Sequence, residues 1–133
     1  MAKESSPSPS FQPPGWPTVI PRIITDDVAG VTGFMRTVFG AECTLRGEAP
    51  AEVRIGDSLV MVSDGGGLRE VSPAFLYVYV ADTDATYRRA VEAGAAAVEE
   101  PLDMPYGDRR AMVRDSWGNL WQVATRQAKQ ASS

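Results

Sequence analysis

Residues 18–63 and 74–125 of this chain read as two copies of one βαβββ unit. In the first copy, residues 19–25 are a β-branched run that ends in Asp26-Asp27, a helix-capping signal. Val28, Val31, Met35, Val38 and Phe39 then fall on one helical face, and Gly40 stands where a left-handed cap is cheapest. Residues 41–45 form a short strand, and residues 52–55 and 58–63 a hairpin about Gly56-Asp57. Residues 64–70, with three consecutive glycines, are a linker. The second copy starts with a strand at residues 75–80 and a cap at Asp82-Thr83-Asp84. Tyr87, Ala90 and Val91 give its helix a buried face, and Gly94 repeats the place of Gly40. Residues 95–99 are a strand, and residues 110–114 and 120–125 close the unit as a hairpin about residues 115–119. The hairpins echo one another, V-R-I-G-D-S-L-V-M-V against V-R-D-S-W-G-N-L-W-Q-V. Units this short cannot each bury a core, so the two must share a sheet or pair across a dimer.

Composition narrows the function. The chain has 133 residues and a net charge of -4, which offers no basic face for nucleic acid. No apolar run approaches the roughly 18 residues that cross a bilayer, and the N-terminus lacks the apolar core of a signal peptide. The single cysteine, Cys43, excludes an intramolecular disulfide and fits a cytoplasmic location. No histidine is present to activate it as a nucleophile. Residues 1–17 contain five of the ten prolines, and they read as a disordered tail; residues 127–133 are a second flexible tail. The domain between them spans residues 18–126. Gly65-Gly66-Gly67 follows a strand but lacks the Lys-Ser/Thr of a phosphate loop.

Three segments, in order, carry a resemblance: F-M-R-T-V-F-G-A, E-V-R-I-G-D-S and P-Y-G-D-R-R-A-M-V-R-D-S-W-G-N-L-W-Q-V-A-T. With the βαβββ repeat they resemble the glyoxalase, bleomycin-resistance and extradiol-dioxygenase (vicinal oxygen chelate) superfamily, in its small bacterial glyoxalase-like branch. The resemblance implies an α+β fold of two cup-shaped half-barrels with helices packed outside, paired as a homodimer. Metal-dependent relatives place ligands at positions that correspond here to Ile20, Glu52, Phe75 and Gln122. Only Glu52 among these is a strong ligand, and a catalytic divalent ion needs about three. The expectation is therefore no metal and no cofactor, and no glyoxalase I or dioxygenase chemistry of the usual kind.

Strand alternation, applied to that fold, turns Phe75, Tyr77 and Tyr79 into the cup, with Ile20, Arg22 and Ile24. Leu120, Gln122 and Ala124 face the same way, and Trp121 and Val123 face the helix. The aromatic stripe could stack on a flat ligand or fill the cup itself. Arg22 suits an anionic or carbonyl-bearing ligand, or reaches out to solvent along its stem. Glu52 is either a general base with a raised pKa or one partner of Arg22, Arg54 or Arg114. Tyr106 and Arg110 lie in a loop at the mouth of the cup, in contact with ligand or solvent. With Met112 and Gln122 these residues make up the expected site. The leading expectation is metal-independent binding of a partly aromatic small molecule such as an antibiotic. The alternative is a metal-free isomerase, lyase or cyclase with Glu52 as base.

Overall fold

The computed structural model describes residues 11–45, 49–65 and 69–127. Residues 1–10 and 128–133, most of the two expected tails, lie outside the described residues, as do Gly66 and Gly67 of the linker. The order of elements is β1(Arg22–Thr25), α1(Val28–Phe39), β2(Glu42–Thr44), β3(Ala51–Ile55), β4(Ser58–Asp64), β5(Phe75–Tyr79), α2(Thr83–Glu92), β6(Ala96–Asp103), β7(Asp108–Arg114) and β8(Leu120–Arg126). The strands form two separate four-stranded sheets, β1-β4-β3-β2 and β5-β8-β7-β6. Each sheet therefore repeats the same order, with one parallel pair (β1 with β4, β5 with β8) and antiparallel neighbours beyond it.

Local chemistry explains the element ends. Asp27 caps α1 by accepting a hydrogen bond from the Gly30 N–H at 3.0 Å, and Asp82 caps α2 through the Ala85 N–H at 3.0 Å. Gly40 ends α1 at φ 67°, a left-handed conformation that a side chain would oppose. The second helix departs from this plan: its cap is Ala93, and Gly94 follows one residue later. The buried face of α2 also differs from expectation. Thr83, Thr86 and Ala90 are buried, whereas Val91 is exposed. Thr83 can be buried because its hydroxyl lies 2.8 Å from both the Arg109 carbonyl and the Thr125 hydroxyl.

Three strand boundaries move by two residues or more. The first strand begins at Arg22, not residue 19, so Ile20 lies outside it. Pro21 has no N–H to give, although its carbonyl accepts from Met61 N at 3.0 Å. The sixth strand continues through Pro101 to Asp103. It is an edge strand with register shifts on either side of Glu99, positions where a missing N–H is tolerated. The seventh strand begins at Asp108 rather than Arg110, so Asp108, Arg109 and Arg110 leave the loop and join the sheet.

The D-S-W-G-N-L-W run is a turn lock. One oxygen of Asp115 accepts the Trp117 and Asn119 N–H groups at 2.9 and 2.8 Å. The other accepts Asn119 Nδ2 and Trp121 Nε1, each at 2.9 Å. Asn119 Oδ1 in turn accepts the Ala74 N–H at 2.8 Å, which fixes the entry to β5. Asp115 is buried, and four donors offset the cost of removing its charge from water.

Both helices lie against one face of their own sheet and against each other, so the two units share one core. Val31, Phe34, Met35 and Val38 of α1 and Val53, Val60 and Val62 of the first sheet join Ala90, Val113 and Trp121 of the second unit. Trp121 is 0% exposed, with its ring centroid 6.3 Å from Phe34 and 5.2 Å from Phe39. Each such ring pair adds about 0.5–1.5 kcal/mol to the burial itself. The second unit also holds both ends of α1. Trp117 Nε1 donates to the capping Asp27 at 3.0 Å. Arg89 donates to the Val38 carbonyl near the helix C-terminus at 3.0 and 3.2 Å. Because the helix-covered faces meet in the middle, neither sheet closes around the other, and each has one face turned away from the helices, largely buried along the central strand of the first sheet and lined by exposed aromatics in the second.

Candidate functional site

The expected site residues lie on the two open faces rather than in one cup. Arg22 and Glu52 belong to the first sheet, where both are in register with Met61 between them. Two strand spacings separate them, about 10 Å. Glu52 is half-buried and already has an interaction partner. Phe75, Tyr77, Tyr79, Arg110, Met112 and Gln122 share the open face of the second sheet. Tyr77 stands opposite Gln122, Gln122 opposite Met112, and Met112 opposite Glu99. In the next row Tyr79 stands opposite Ala124, which stands opposite Arg110. Tyr106 joins this group from the turn before β7.

At the end of the second face, beside Arg126, is a residue that composition alone does not single out. Asp108 is 0% exposed and accepts both phenolic hydroxyls in its Oδ2 atom, from Tyr77 at 2.7 Å and from Tyr79 at 2.8 Å. Its Oδ1 lies 3.4 Å from Arg126 Nε and accepts no hydrogen bond. Tyr106 Oη lies 3.2 Å from Tyr77 Oη and accepts from Arg110 Nη1 at 3.1 Å. Arg110 Nη2 reaches Glu99 at 3.1 Å, and Arg126 Nη1 donates to the Tyr106 carbonyl at 2.7 Å. Asp108, Glu99 and Arg126 are thus part of the site although the sequence reading passed over them. The signal was alternation: once β7 is extended back by two residues, Asp108, Arg110 and Met112 share a face.

The electrostatics follow from this network. The Tyr77 hydrogen bond does most to hold the Asp108 carboxyl below its ordinary value of 3.8; burial opposes it, and Tyr79, Arg126 and Arg110 assist. The Tyr77 phenol is pushed above its ordinary 10.0, first by burial and then by its bonds to Tyr106 and Asp108. The Tyr79 phenol rises too, chiefly because it donates to Asp108. Near neutral pH the site therefore contains an anionic carboxylate and protonated phenols. An ionised acceptor held this firmly is a poor general base, and protonated phenols cannot serve as bases either. What the arrangement does well is hold two aromatic rings in place. The Tyr77 and Tyr79 centroids are 5.4 Å apart at 61°, and both rings remain partly exposed on the open face.

A cavity of about 870 Å³ adjoins the site without coinciding with it. It is lined by Leu76, Val78 and Val80 on one face of β5 and by Tyr77 and Tyr79 on the other, so it runs round the edge of that strand. Val38 and Phe39 of α1 and Leu59 and Val60 of β4 form its far wall.

The donor set does not fit the metal centre of metal-dependent relatives. Ile20 precedes β1, Glu52 is on one sheet, and Phe75 and Gln122 are on the other. Among the described residues no three His, Cys, Asp or Glu side chains gather in a way that could hold an ion. No helix among them is long and apolar enough to cross a membrane.

Known proteins agree with this architecture. Residues 18–123 match the family model of the Glyoxalase/Bleomycin resistance protein/Dioxygenase superfamily. The uncharacterized protein Mb0911c of Mycobacterium bovis is 30% identical over 124 residues, which cover 80% of this chain and 82% of that one. The anthracycline biosynthesis protein DauV of Streptomyces sp. is 35% identical over 106 residues, 76% of this chain but only 38% of its own length. The crystal structure of TioX from Micromonospora sp. ML1 superimposes with a TM-score of 0.69 at 28% identity, covering 81% of this chain and 97% of that one. The fold, the turn lock and these matches together make the chain a member of the glyoxalase/bleomycin resistance protein/dioxygenase superfamily.

Proposed function

We propose that this protein binds a planar, partly aromatic small molecule of the antibiotic type on the open face of its second sheet, without a metal. The observation that carries the reading is the pair Tyr77 and Tyr79, exposed to a ligand yet fixed from beneath by the buried Asp108. Rings fixed before binding lose little entropy when a flat molecule stacks on them. The similarity to an anthracycline biosynthesis protein suggests the ligand class, although this chain spans only 38% of that relative. The open face is half of a cup, and we assign its other half to the first sheet of a second copy. That pairing would bring the partner's open face, the one that carries Arg22 and Glu52, across from the tyrosines.

Titration with doxorubicin, followed by the drug's own fluorescence, tests the reading. Saturable binding that weakens about five- to tenfold in Tyr77→Ala is expected, since stacking on one aromatic side chain contributes about 1–1.5 kcal/mol. A panel of planar antibiotics that gives no saturable binding at all rejects it. Sedimentation should give about twice the 14.3 kDa chain mass.

A further inference from the structure

Resting on that reading, we infer the ligand's chemistry: the tyrosine face selects planar aromatics that donate hydrogen bonds, hydroxy- or amino-substituted, and Tyr79 Oη is the acceptor that selects them. The argument is a count of protons. A phenol has one to give, and an ionised carboxylate can only accept. Tyr77 gives its proton to Asp108 at 2.7 Å, so its 3.2 Å contact with Tyr106 must be donated by Tyr106. The Tyr106 oxygen already accepts from Arg110 at 3.1 Å. Direction therefore runs one way, from Arg110 through Tyr106 and Tyr77 to Asp108, and both phenolic protons in it are committed.

Tyr79 also gives its proton to Asp108, at 2.8 Å, but no donor among the described residues bonds to its oxygen. That oxygen belongs to a residue 59% exposed, so Tyr79 offers a ligand a lone pair rather than a proton. Arg110 is engaged with Tyr106 and Glu99, and Arg126, itself exposed, donates to the Tyr106 carbonyl and lies against Asp108. The unbonded Arg110 Nε is buried and out of a ligand's reach. Gln122 can donate or accept. Arg114 lies on the same face but four residues along β7 from Arg110, about 13 Å away. A carboxylate or sulfonate has no proton to give to Tyr79 Oη, whose own proton is already committed to Asp108.

Three naphthalenes of one shape test this by calorimetry: naphthalene-2,6-diol, 2,6-dimethoxynaphthalene and naphthalene-2,6-dicarboxylate. The diol should bind about tenfold more tightly than the other two, the upper end for one neutral hydrogen bond. Tyr79→Phe should shrink the advantage of the diol to within about threefold, mainly by weakening the diol. Tyr77→Phe, whose oxygen is already occupied, should leave the advantage in place. A dimethoxy or dicarboxylate probe that binds as tightly as the diol overturns the inference while leaving the binding face intact. So does a preference that survives Tyr79→Phe or disappears in Tyr77→Phe. The wild-type comparison stands even if a variant folds poorly. Failure of all three probes and of doxorubicin would reject the binding face itself.

Discussion

The two units share a backbone plan and differ in how their polar groups are placed. In the first, the β3–β4 hairpin turns in two residues, with Gly56 at φ 57° and an exposed Asp57. In the second, five residues wind around a buried Asp115 that accepts four hydrogen bonds. The open faces differ likewise. The central strand of the first presents Leu59, Met61 and Ser63, all buried, with Arg22 and Glu52 at either side. The second presents exposed aromatics joined by a carboxylate. A repeat fixes strand order and helix placement, because those follow from periodicity and caps. It leaves the outward alternate positions free, and only the second unit has filled them with a connected network.

The sharpest test of this contrast is at the two hairpins. Asp115→Ala leaves two backbone N–H groups, Asn119 Nδ2 and Trp121 Nε1 without their acceptor in a buried site. It should cost about 3–5 kcal/mol in denaturant unfolding, at the upper end for a buried hydrogen-bond centre. Asp57→Ala, at an exposed turn, should stay within about 0.5 kcal/mol. Equal losses at the two aspartates would erase the difference between the hairpins.

A second test lies within α1. A side chain at Gly30 would overlap the Asp27 carboxylate and the Trp117 ring, whereas one at Gly33 meets open space. Gly30→Ala should therefore destabilise by about 2–3 kcal/mol through loss of the cap and displacement of the tryptophan. Gly33→Ala should stabilise by about 0.5–1 kcal/mol through helix propensity. Melting curves that move in the same direction for both would show that α1 is not clasped by the second unit.

The smallest effect concerns acid. The Asp108 carboxyl is held below its ordinary value of 3.8 in the folded protein, so the unfolded chain takes up the proton first. Its contribution is complete above about pH 4 and is lost as the pH falls through the lower, folded value. Asp108→Asn should flatten the decline of stability below pH 4 relative to the parent. An unchanged slope would place the acid sensitivity elsewhere.

Much of this was legible in the chain. Both N-caps, both tight hairpins and the outward run Phe75, Tyr77, Tyr79 follow from residue types and a period of two or 3.6. What was hidden has common causes. Asp108 sits in P-Y-G-D, a composition that reads as loop, so the strand was started two residues late and its most buried charge was missed. The sequence reading ends β6 at residue 99, yet the strand runs on through Pro101, which an edge strand with irregular register tolerates. Periodicity also assigns a face within a sheet, not the direction in which that face looks across the molecule. The placement of Arg22 and Glu52 on one sheet and the tyrosines on another depends on Trp121, Phe34 and Phe39 packing the units back to back.

The double grip on α1 has a consequence for how the molecule can be taken apart. The helix is encoded in the first half, but Trp117 secures its beginning and Arg89 its end. A gene cut between β4 and β5 would therefore yield two pieces that gain order only on meeting. Expressed as separate polypeptides, the halves form a ready pair for fragment complementation, with reassembly rather than autonomous folding as the step that restores the ligand face.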